Sequence, residues 1–225
     1  MCGISFTFGR DATERAIDKM VRAQHHRGPD SCNSLIFAQD HLALGFNRLS
    51  IIDLSDAGMQ PMRSQSGRYT LIFNGEIYNF KELRSQLSGY KFTSASDSEV
   101  LLAAWETWGA DCLPKLIGMF GFAIWDNLDK ALTLARDWIG IKPLYFGIHN
   151  QTIYGASEIK ALLAAGVEAR PNWEIWGEYF RFGVYNHSSQ TFFSDIVALS
   201  PGHYIVLSLN DAEKEVLPPS KPYWK

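Results

Sequence analysis

Cysteine is scarce in this chain, and neither sign of charge is in excess. The 225 residues hold three cysteines, Cys2, Cys32 and Cys112, with no C-x-x-C pair and no histidine-rich ligand spacing. We therefore predict no metal site and no disulfide framework, and we expect reduced thiols. The 21 Lys+Arg and 24 Asp+Glu give a net charge of -3 with no run of like charge. This balance argues against a nucleic-acid partner.

Long hydrophobic runs and targeting signals are also missing. The longest apolar run, residues 116–125, contains two glycines and is about half the ~20 residues that a membrane helix needs. No cationic start followed by an apolar stretch marks a secretory signal. With 46% apolar residues, the composition is that of a globular chain. We expect a soluble cytoplasmic protein without a membrane partner.

Periodicity predicts strands clustered between helices. Strand patterns occupy residues 4–8, 34–38, 41–47, 69–74, 119–126, 130–136, 144–148, 152–156 and 203–209, and helical patterns occupy residues 12–23, 79–87, 97–108, 158–165 and 173–181. This order suggests sheet layers covered by helices. Residues 217–225 contain three prolines, so we expect an unpacked linker or docking tail there.

Cys2 directly follows the initiator methionine. A small second residue usually allows Met1 to be removed, which would leave Cys2 with a free α-amino group. A thiol with an ordinary pKa of about 8.5 then lies beside an amine with a pKa of about 7.7 to 8.0. This is the terminal-amine form of a nucleophile paired with a base. The alternative is an inert small residue at the start of a strand.

Nine further motifs follow in order: H-R-G-P-D (26–30), R-L-S-I-I-D (48–53), N-G-E-I-Y-N (74–79), S-D-S-E (96–99), G-M-F-G-F-A (118–123), A-R-D (135–137), G-I-K-P-L-Y (140–145), A-S-E-I-K-A (156–161) and L-S-P-G-H (199–203). With Cys2, they resemble the glutaminase domain of class II glutamine amidotransferases, the N-terminal-nucleophile type. Within that class the chain is more similar to asparagine synthetase than to phosphoribosyl or hexosamine amidotransferases. The resemblance runs from residue 1 to about 207.

The resemblance implies three catalytic residues. The sulfur of Cys2 attacks the side-chain carbonyl of L-glutamine and forms a thioester, which water cleaves to glutamate. The Asn74 side-chain amide and the Gly75 backbone N–H form the oxyanion hole. Outside the motif series, Asn-Gly is an ordinary turn dipeptide. His26 and Arg27 support the nucleophile by the same resemblance, and the terminal amine already serves as the base.

The resemblance also implies a clamp for a free amino acid. A guanidinium presents two parallel donors to a carboxylate, and Arg48 matches that position. Asp97 matches the partner of the substrate ammonium, with Glu76 as a second carboxylate. Backbone atoms of four consecutive residues line the pocket: Leu49, Ser50, Ile51 and Ile52. A surface salt bridge for Arg48 and a helix cap for Asp97 are the alternatives.

The fold implied by the resemblance is α+β, the four-layer α-β-β-α sandwich of N-terminal-nucleophile hydrolases, with two antiparallel sheets between helical layers. We assign residues 1–210 to the glutaminase domain and residues 211–225 to a linker or tail. No Ser-Gly-Gly-x-Asp or Walker-type phosphate loop occurs in the sequence. ATP and Mg²⁺ are therefore expected only in a synthetase domain in cis or a synthetase subunit in trans.

The expected enzyme is an asparagine-synthetase-like glutamine amidotransferase without a cofactor of its own. Aspartate is the default ammonia acceptor, and a sugar acid or another carboxylate stays open, as does a homodimer. A glutamine sensor with weak turnover is one alternative. Another is an N-terminal-nucleophile hydrolase of a different amide, such as a penicillin or a bile-salt conjugate. The pair Arg48 and Asp97 favours an amino acid as the substrate, because a clamp for a zwitterion would have no function with those other substrates.

Overall fold

The computed structural model describes residues 1–50 and 55–224. Its helices are α1 (Glu14–Ala23), α2 (Phe80–Gln86), α3 (Asp97–Trp108), α4 (Ile159–Ala165), α5 (Trp173–Phe182) and α6 (Leu209–Lys214). Its strands are β1 (Gly3–Gly9), β2 (Ser31–Phe37), β3 (Leu42–Arg48), β4 (Met62–Arg63), β5 (Tyr69–Ile77), β6 (Gly118–Asp126), β7 (Ala131–Arg136), β8 (Tyr145–His149), β9 (Thr152–Ala156), β10 (Val197–Ala198), β11 (His203–Leu207) and β12 (Lys221–Pro222).

The strands form two sheets. One has the order β10-β8-β9-β1-β3-β2 and the other the order β12-β11-β7-β6-β5-β4. The strand pairs in both sheets are antiparallel. The sheets pack face to face, because apolar residues of β1 and β3 share one buried cluster with residues of β6 and β7. Trp125 in this cluster makes an edge contact with Phe8, with ring centroids 5.5 Å apart.

The outer face of each sheet is covered by helices. Strand residues alternate between faces, so Phe120 and Phe122 of β6 point away from the first sheet and pack with Val100 and Leu101 of α3. On the other side, α1 and α4 pack against β3 and β9. This arrangement confirms the predicted four-layer α-β-β-α sandwich. Because both faces of β6 are buried, this strand is continuously apolar from Met119 to Trp125.

The chain after β11 differs from the expectation. The predicted strand 203–209 ends at Leu207, and α6 begins at Leu209, where the Asp211 carboxylate accepts a hydrogen bond from the Ser208 N–H (2.7 Å). This reciprocal cap is typical of a helix start. The expected domain end at residue 210 therefore falls within a helix.

The tail expected to be unpacked packs against the domain. Pro222 of β12 lies opposite His203 of β11. The Tyr223 hydroxyl donates to the Arg136 carbonyl (2.6 Å). The Trp224 ring stacks on Trp138, with centroids 4.1 Å apart. The prolines misled the prediction because β12 is a two-residue edge strand, and proline is tolerated at a sheet edge.

Candidate active site

The start of β1 and the end of β3 bring two predicted site residues together. Gly3 lies opposite Asn47, so Cys2 lies next to Arg48 and Leu49. The Leu49 N–H donates to the Cys2 sulfur (3.5 Å), and the thiol is 3.6 Å from the Leu49 carbonyl oxygen. The half-buried Cys2 thiol is therefore held at the end of the sheet.

A cavity of about 170 Å³ opens beside this thiol. Charged side chains of both signs line it, with two cations and two carboxylates among the described lining residues: Arg48, Lys142, Glu76 and Asp97. Leu49, Ser50, Asn74 and Gly75 line it as well. A cavity with fixed charges of both signs suits a zwitterion.

Arg48 is a buried cation at the wall of the cavity. Its relative exposure is 6%, and its Nη2 donates to the Ser55 carbonyl (2.8 Å). The surface-salt-bridge alternative is therefore wrong, because a side chain that deeply buried is not on the surface. The contact with Ser55 orients one edge of the guanidinium plane, as a planar donor group requires for carboxylate recognition.

Asp97 is the first residue of α3, and it is not the cap. Ser96 caps the helix, because its hydroxyl accepts from the Glu99 N–H (3.2 Å). The Asp97 carboxylate instead accepts from the Ile77 N–H (2.9 Å) and lines the cavity. Burial raises the pKa of Asp97 from an ordinary 3.8 to about 6, and the negative charge of Glu76 also raises it. A cationic partner would offset this cost.

Asn74 and Gly75 lie within β5 rather than in a turn. With the amide oriented so that both atoms are partnered, Asn74 Nδ2 is 3.0 Å from the Cys2 carbonyl oxygen and Oδ1 is 3.3 Å from Arg27 Nη2. The amide nitrogen carries a second N–H for another acceptor. At Gly75, an added Cβ would lie 2.3 Å from the Met119 carbonyl oxygen, so the close approach of β6 requires glycine.

The thiol environment disfavours a resting thiolate. Burial is the largest effect and raises the pKa of Cys2, whereas the Leu49 hydrogen bond and the adjacent amino terminus lower it. The amino group of Met1 behaves oppositely, since burial lowers its pKa below 8.0. With Met1 in place the nitrogen of Cys2 is an amide, so the Met1 amine only stands in for the α-amine that removal of Met1 would expose on Cys2.

Two of the four consecutive pocket residues predicted from the sequence lie in the part of the chain that the structure describes. Leu49 and Ser50 lie at the cavity, and the Ser50 N–H donates to an Asp30 carboxylate oxygen (2.8 Å). Ile51 and Ile52 lie outside the described residues. Glu76 also lines the cavity and is half-buried. Its charge raises the pKa of Asp97, so the two carboxylates face the same region.

Lys142 is a site residue to which sequence reasoning gave no role. It is 6% exposed and lines the cavity. Burial lowers the pKa of Lys142 most, and the positive charge of Arg27 lowers it further. Asp137 and Arg136 bind its backbone N–H and carbonyl at 2.9 and 2.8 Å. The signal was its place inside the motif G-I-K-P-L-Y. Buried Gln60 was missed too, because it lies outside every motif.

The other candidate side chains are placed away from the cavity. His26 is exposed and pairs with Glu158 (2.9 Å). Cys112 is buried, and burial raises its pKa to about 12, whereas Cys32 is exposed.

The described residues also offer no metal centre. Across residues 1–50 and 55–224, no group of three or more His, Cys, Asp or Glu is arranged to hold a metal ion. In that same part, no helix has the length and apolarity to cross a membrane.

Family comparison agrees with this geometry. The glutamine amidotransferase domain family matches residues 1–224. The chain belongs to that family. This glutamine amidotransferase domain is also similar in fold to the glutamine phosphoribosylpyrophosphate amidotransferase from B. subtilis, with a TM-score of 0.71 and 19% identity, over 99% of this chain and 49% of that one. At that identity, the likeness shows the fold alone.

Curated relatives are more similar in sequence. Asparagine synthetase [glutamine-hydrolyzing] 1 from Bacillus subtilis is 42% identical over 190 residues, which is 81% of this domain and 30% of that protein. Amidase chry2 from Gibberella zeae is 36% identical over 200 residues, 88% of this domain and 28% of that protein. The glutamine amidotransferase domain thus spans about a third of the length of the curated relatives it matches.

Proposed function

We propose that this domain hydrolyses L-glutamine to glutamate and ammonia through a thioester on Cys2. The observation that carries the proposal is the cavity in which the Cys2 thiol, the buried Arg48 guanidinium and the buried Asp97 carboxylate meet. Arg48 binds the α-carboxylate of glutamine. Asp97, with Glu76 beside it, binds the α-ammonium. These contacts fix the substrate so that its side chain reaches the sulfur.

The first half of the reaction forms the thioester. After removal of Met1, the α-amine of Cys2 accepts the thiol proton, and the sulfur bonds to the side-chain carbonyl carbon of glutamine. The carbonyl oxygen becomes an oxyanion, which the second N–H of Asn74 Nδ2 and the Gly75 N–H stabilise. The protonated amine then donates its proton to the leaving nitrogen, the C–N bond breaks, and ammonia departs.

The second half releases glutamate. The Cys2 amine, now neutral, takes a proton from water as the water oxygen attacks the thioester carbonyl. The same donors stabilise the second oxyanion, the C–S bond breaks, and the thiol regains its proton. A thiol and an amine supply every proton transfer in this sequence, so we assign no cofactor to the domain.

The ammonia requires an acceptor. We propose that it passes to an ATP- and Mg²⁺-dependent synthetase domain or partner, which amidates a carboxylate. Aspartate is the default acceptor, because several similar proteins are named asparagine synthetases. A sugar acid or another acid is the alternative, since another similar protein is named an amidase. A thiol nucleophile also fits a reducing compartment such as the cytoplasm.

The test measures glutamate release and intact mass for the wild type, Cys2→Ala and Cys112→Ala. We expect a wild-type mass without Met1, loss of glutamate release in Cys2→Ala, and retained release in Cys112→Ala. Full activity in a protein that keeps Met1, or in Cys2→Ala, would contradict the proposal. Glutamate release that fails in the wild type would contradict it too.

A further inference from the structure

The dipeptide Ser157-Glu158 follows β9 directly and belongs to a motif without a role in the proposed reaction. Its first residue binds the backbone of β1. The Ser157 N–H donates to the Ile4 carbonyl (3.0 Å), and the Ile4 N–H donates to the Ser157 hydroxyl (3.1 Å). These bonds extend the β1–β9 pairing, which ends at Ser5 and Ala156, and they fix the chain two residues after Cys2.

The second residue turns its side chain away from its own helix. Glu158 occupies the N-cap position of α4, but its carboxylate accepts no capping hydrogen bond from a backbone N–H of the first turn. It binds two cationic side chains and an imidazole instead, with Oε1 2.9 Å from Arg27 Nη1 and from His26 Nε2, and Oε2 3.1 Å from Lys160 Nζ. Burial acts to raise the pKa of Glu158, but these hydrogen bonds lower it to about 2. The carboxylate is therefore charged near neutral pH.

Arg27 joins this carboxylate to the nucleophile. Its side chain is 7% exposed, and its Nε donates to the Cys2 carbonyl (2.9 Å). The Nη2 atom lies 3.3 Å from the Asn74 amide oxygen. Because a guanidinium is planar and rigid, fixing Nη1 at Glu158 fixes the donors aimed at Cys2 and Asn74. Within residues 1–50 and 55–224, no other carboxylate forms an ion pair with Arg27.

We propose that Glu158 is a positioning residue for the nucleophile, acting through Arg27 on the backbone of Cys2. His26 and Lys160 each have half-exposed side chains, so water solvates them and the buried Arg27 is the partner that depends on Glu158. Without the carboxylate, a buried cation lacks its counter-ion, and its plane is free to turn. The Cys2 carbonyl and the Asn74 amide then lose a fixed donor.

The kinetic test compares Glu158→Gln with Glu168→Gln, which breaks an exposed ion pair to Arg170 (3.0 Å). Misplacing a reacting group by about 1 Å can cost about 100-fold in rate, so we expect kcat for glutamate release to fall about 10- to 100-fold in Glu158→Gln. The KM for glutamine should change less than about twofold, because Glu158 does not line the cavity that holds the amino-acid clamp. Glu158→Asp keeps the charge and should restore part of kcat.

A double-mutant cycle separates positioning from general loss of structure. In an Arg27→Ala background, adding Glu158→Gln should change kcat by less than about twofold, because the route through Arg27 no longer exists. If Glu158→Gln lowers kcat in the Arg27→Ala background by the same factor as in the wild type, the assignment is overturned. An unchanged kcat in Glu158→Gln alone would overturn it as well.

Hydrogen exchange gives a readout that does not depend on turnover. Amides in residues 3–6 should exchange at least about fivefold faster in Glu158→Gln, and at the wild-type rate in Glu168→Gln. Equal exchange in all three proteins would overturn the proposal. The kinetic comparison rests on the proposed function, whereas the exchange comparison does not. If the wild type releases no glutamate, the proposed function fails and hydrogen exchange still decides the role of Glu158.

Discussion

Replacing Asp97 with asparagine should stabilise the domain and weaken glutamine binding at the same time. Burial raises the pKa of the Asp97 carboxyl from 3.8 to about 6. At ~1.36 kcal/mol per pKa unit, ionising this carboxyl in the folded state costs up to about 3 kcal/mol more than in the unfolded chain. Asparagine removes the charge and keeps an oxygen for the Ile77 N–H, which donates to Asp97 at 2.9 Å.

The pH dependence follows from the direction of this shift. Because the folded pKa of Asp97 is the higher one, the folded domain keeps a proton between about pH 4 and pH 6 that the unfolded chain releases. Stability therefore falls as pH rises through this window, and the cost is complete above about pH 7. The advantage of Asp97→Asn should grow from under about 1 kcal/mol near pH 4 to between about 1 and 3 kcal/mol at pH ~7.5.

Thermal melting and steady-state kinetics measure the two effects. For a domain of this size, a change of about 1 to 3 kcal/mol raises Tm by roughly 2 to 12 °C. Loss of a charged hydrogen bond of about 1.5 to 3 kcal/mol should raise the KM for glutamine about 10- to 100-fold. Asp111→Asn, which alters an exposed carboxylate, should change neither. A lower Tm for Asp97→Asn at neutral pH, or an unchanged KM, would refute this account of Asp97.

Three further substitutions test the site. Arg48→Ala should raise the KM for glutamine about 10- to 100-fold, whereas exposed Arg10→Ala should leave it unchanged; equal effects would remove the clamp assignment. Asn74→Ala should lower kcat about 100- to 1,000-fold with a smaller change in KM, as loss of an oxyanion donor does, and a change confined to KM would contradict that role. Gly75→Ala should lower Tm, because the added Cβ would lie 2.3 Å from a facing backbone oxygen. Gly89→Ala should leave Tm unchanged, because nothing lies within 4 Å of a Cβ added there. Similar Tm values for the two variants would contradict the steric argument.

Regular, strongly patterned elements could be predicted from the sequence. The helix predicted at residues 97–108 coincides with α3, and the strand predicted at residues 152–156 coincides with β9. The short strands β4, β10 and β12 were missed, because two residues carry no periodicity. The helix α6 was missed because its six residues span fewer than two turns.

The site divides in a similar way. Motifs located Cys2, Arg48 and Asp97, but they could not show which residue caps α3, because Ser96 and Asp97 are both good caps. The tertiary structure decides this point, since the Asp97 carboxylate accepts a hydrogen bond from the Ile77 N–H. Nor could the sequence show that Lys142 is buried, because its position depends on a loop fixed by Asp137 and Arg136.

The most direct test of a thioester on Cys2 is to quench the reaction with acid during turnover and map the modified peptide by mass spectrometry. We predict one γ-glutamyl group on the amino-terminal peptide, attached to the Cys2 sulfur, with the peptides of Cys32 and Cys112 unmodified. A γ-glutamyl group on either of those cysteines, or steady glutamate release from a protein in which Cys2 is alkylated, would contradict the account.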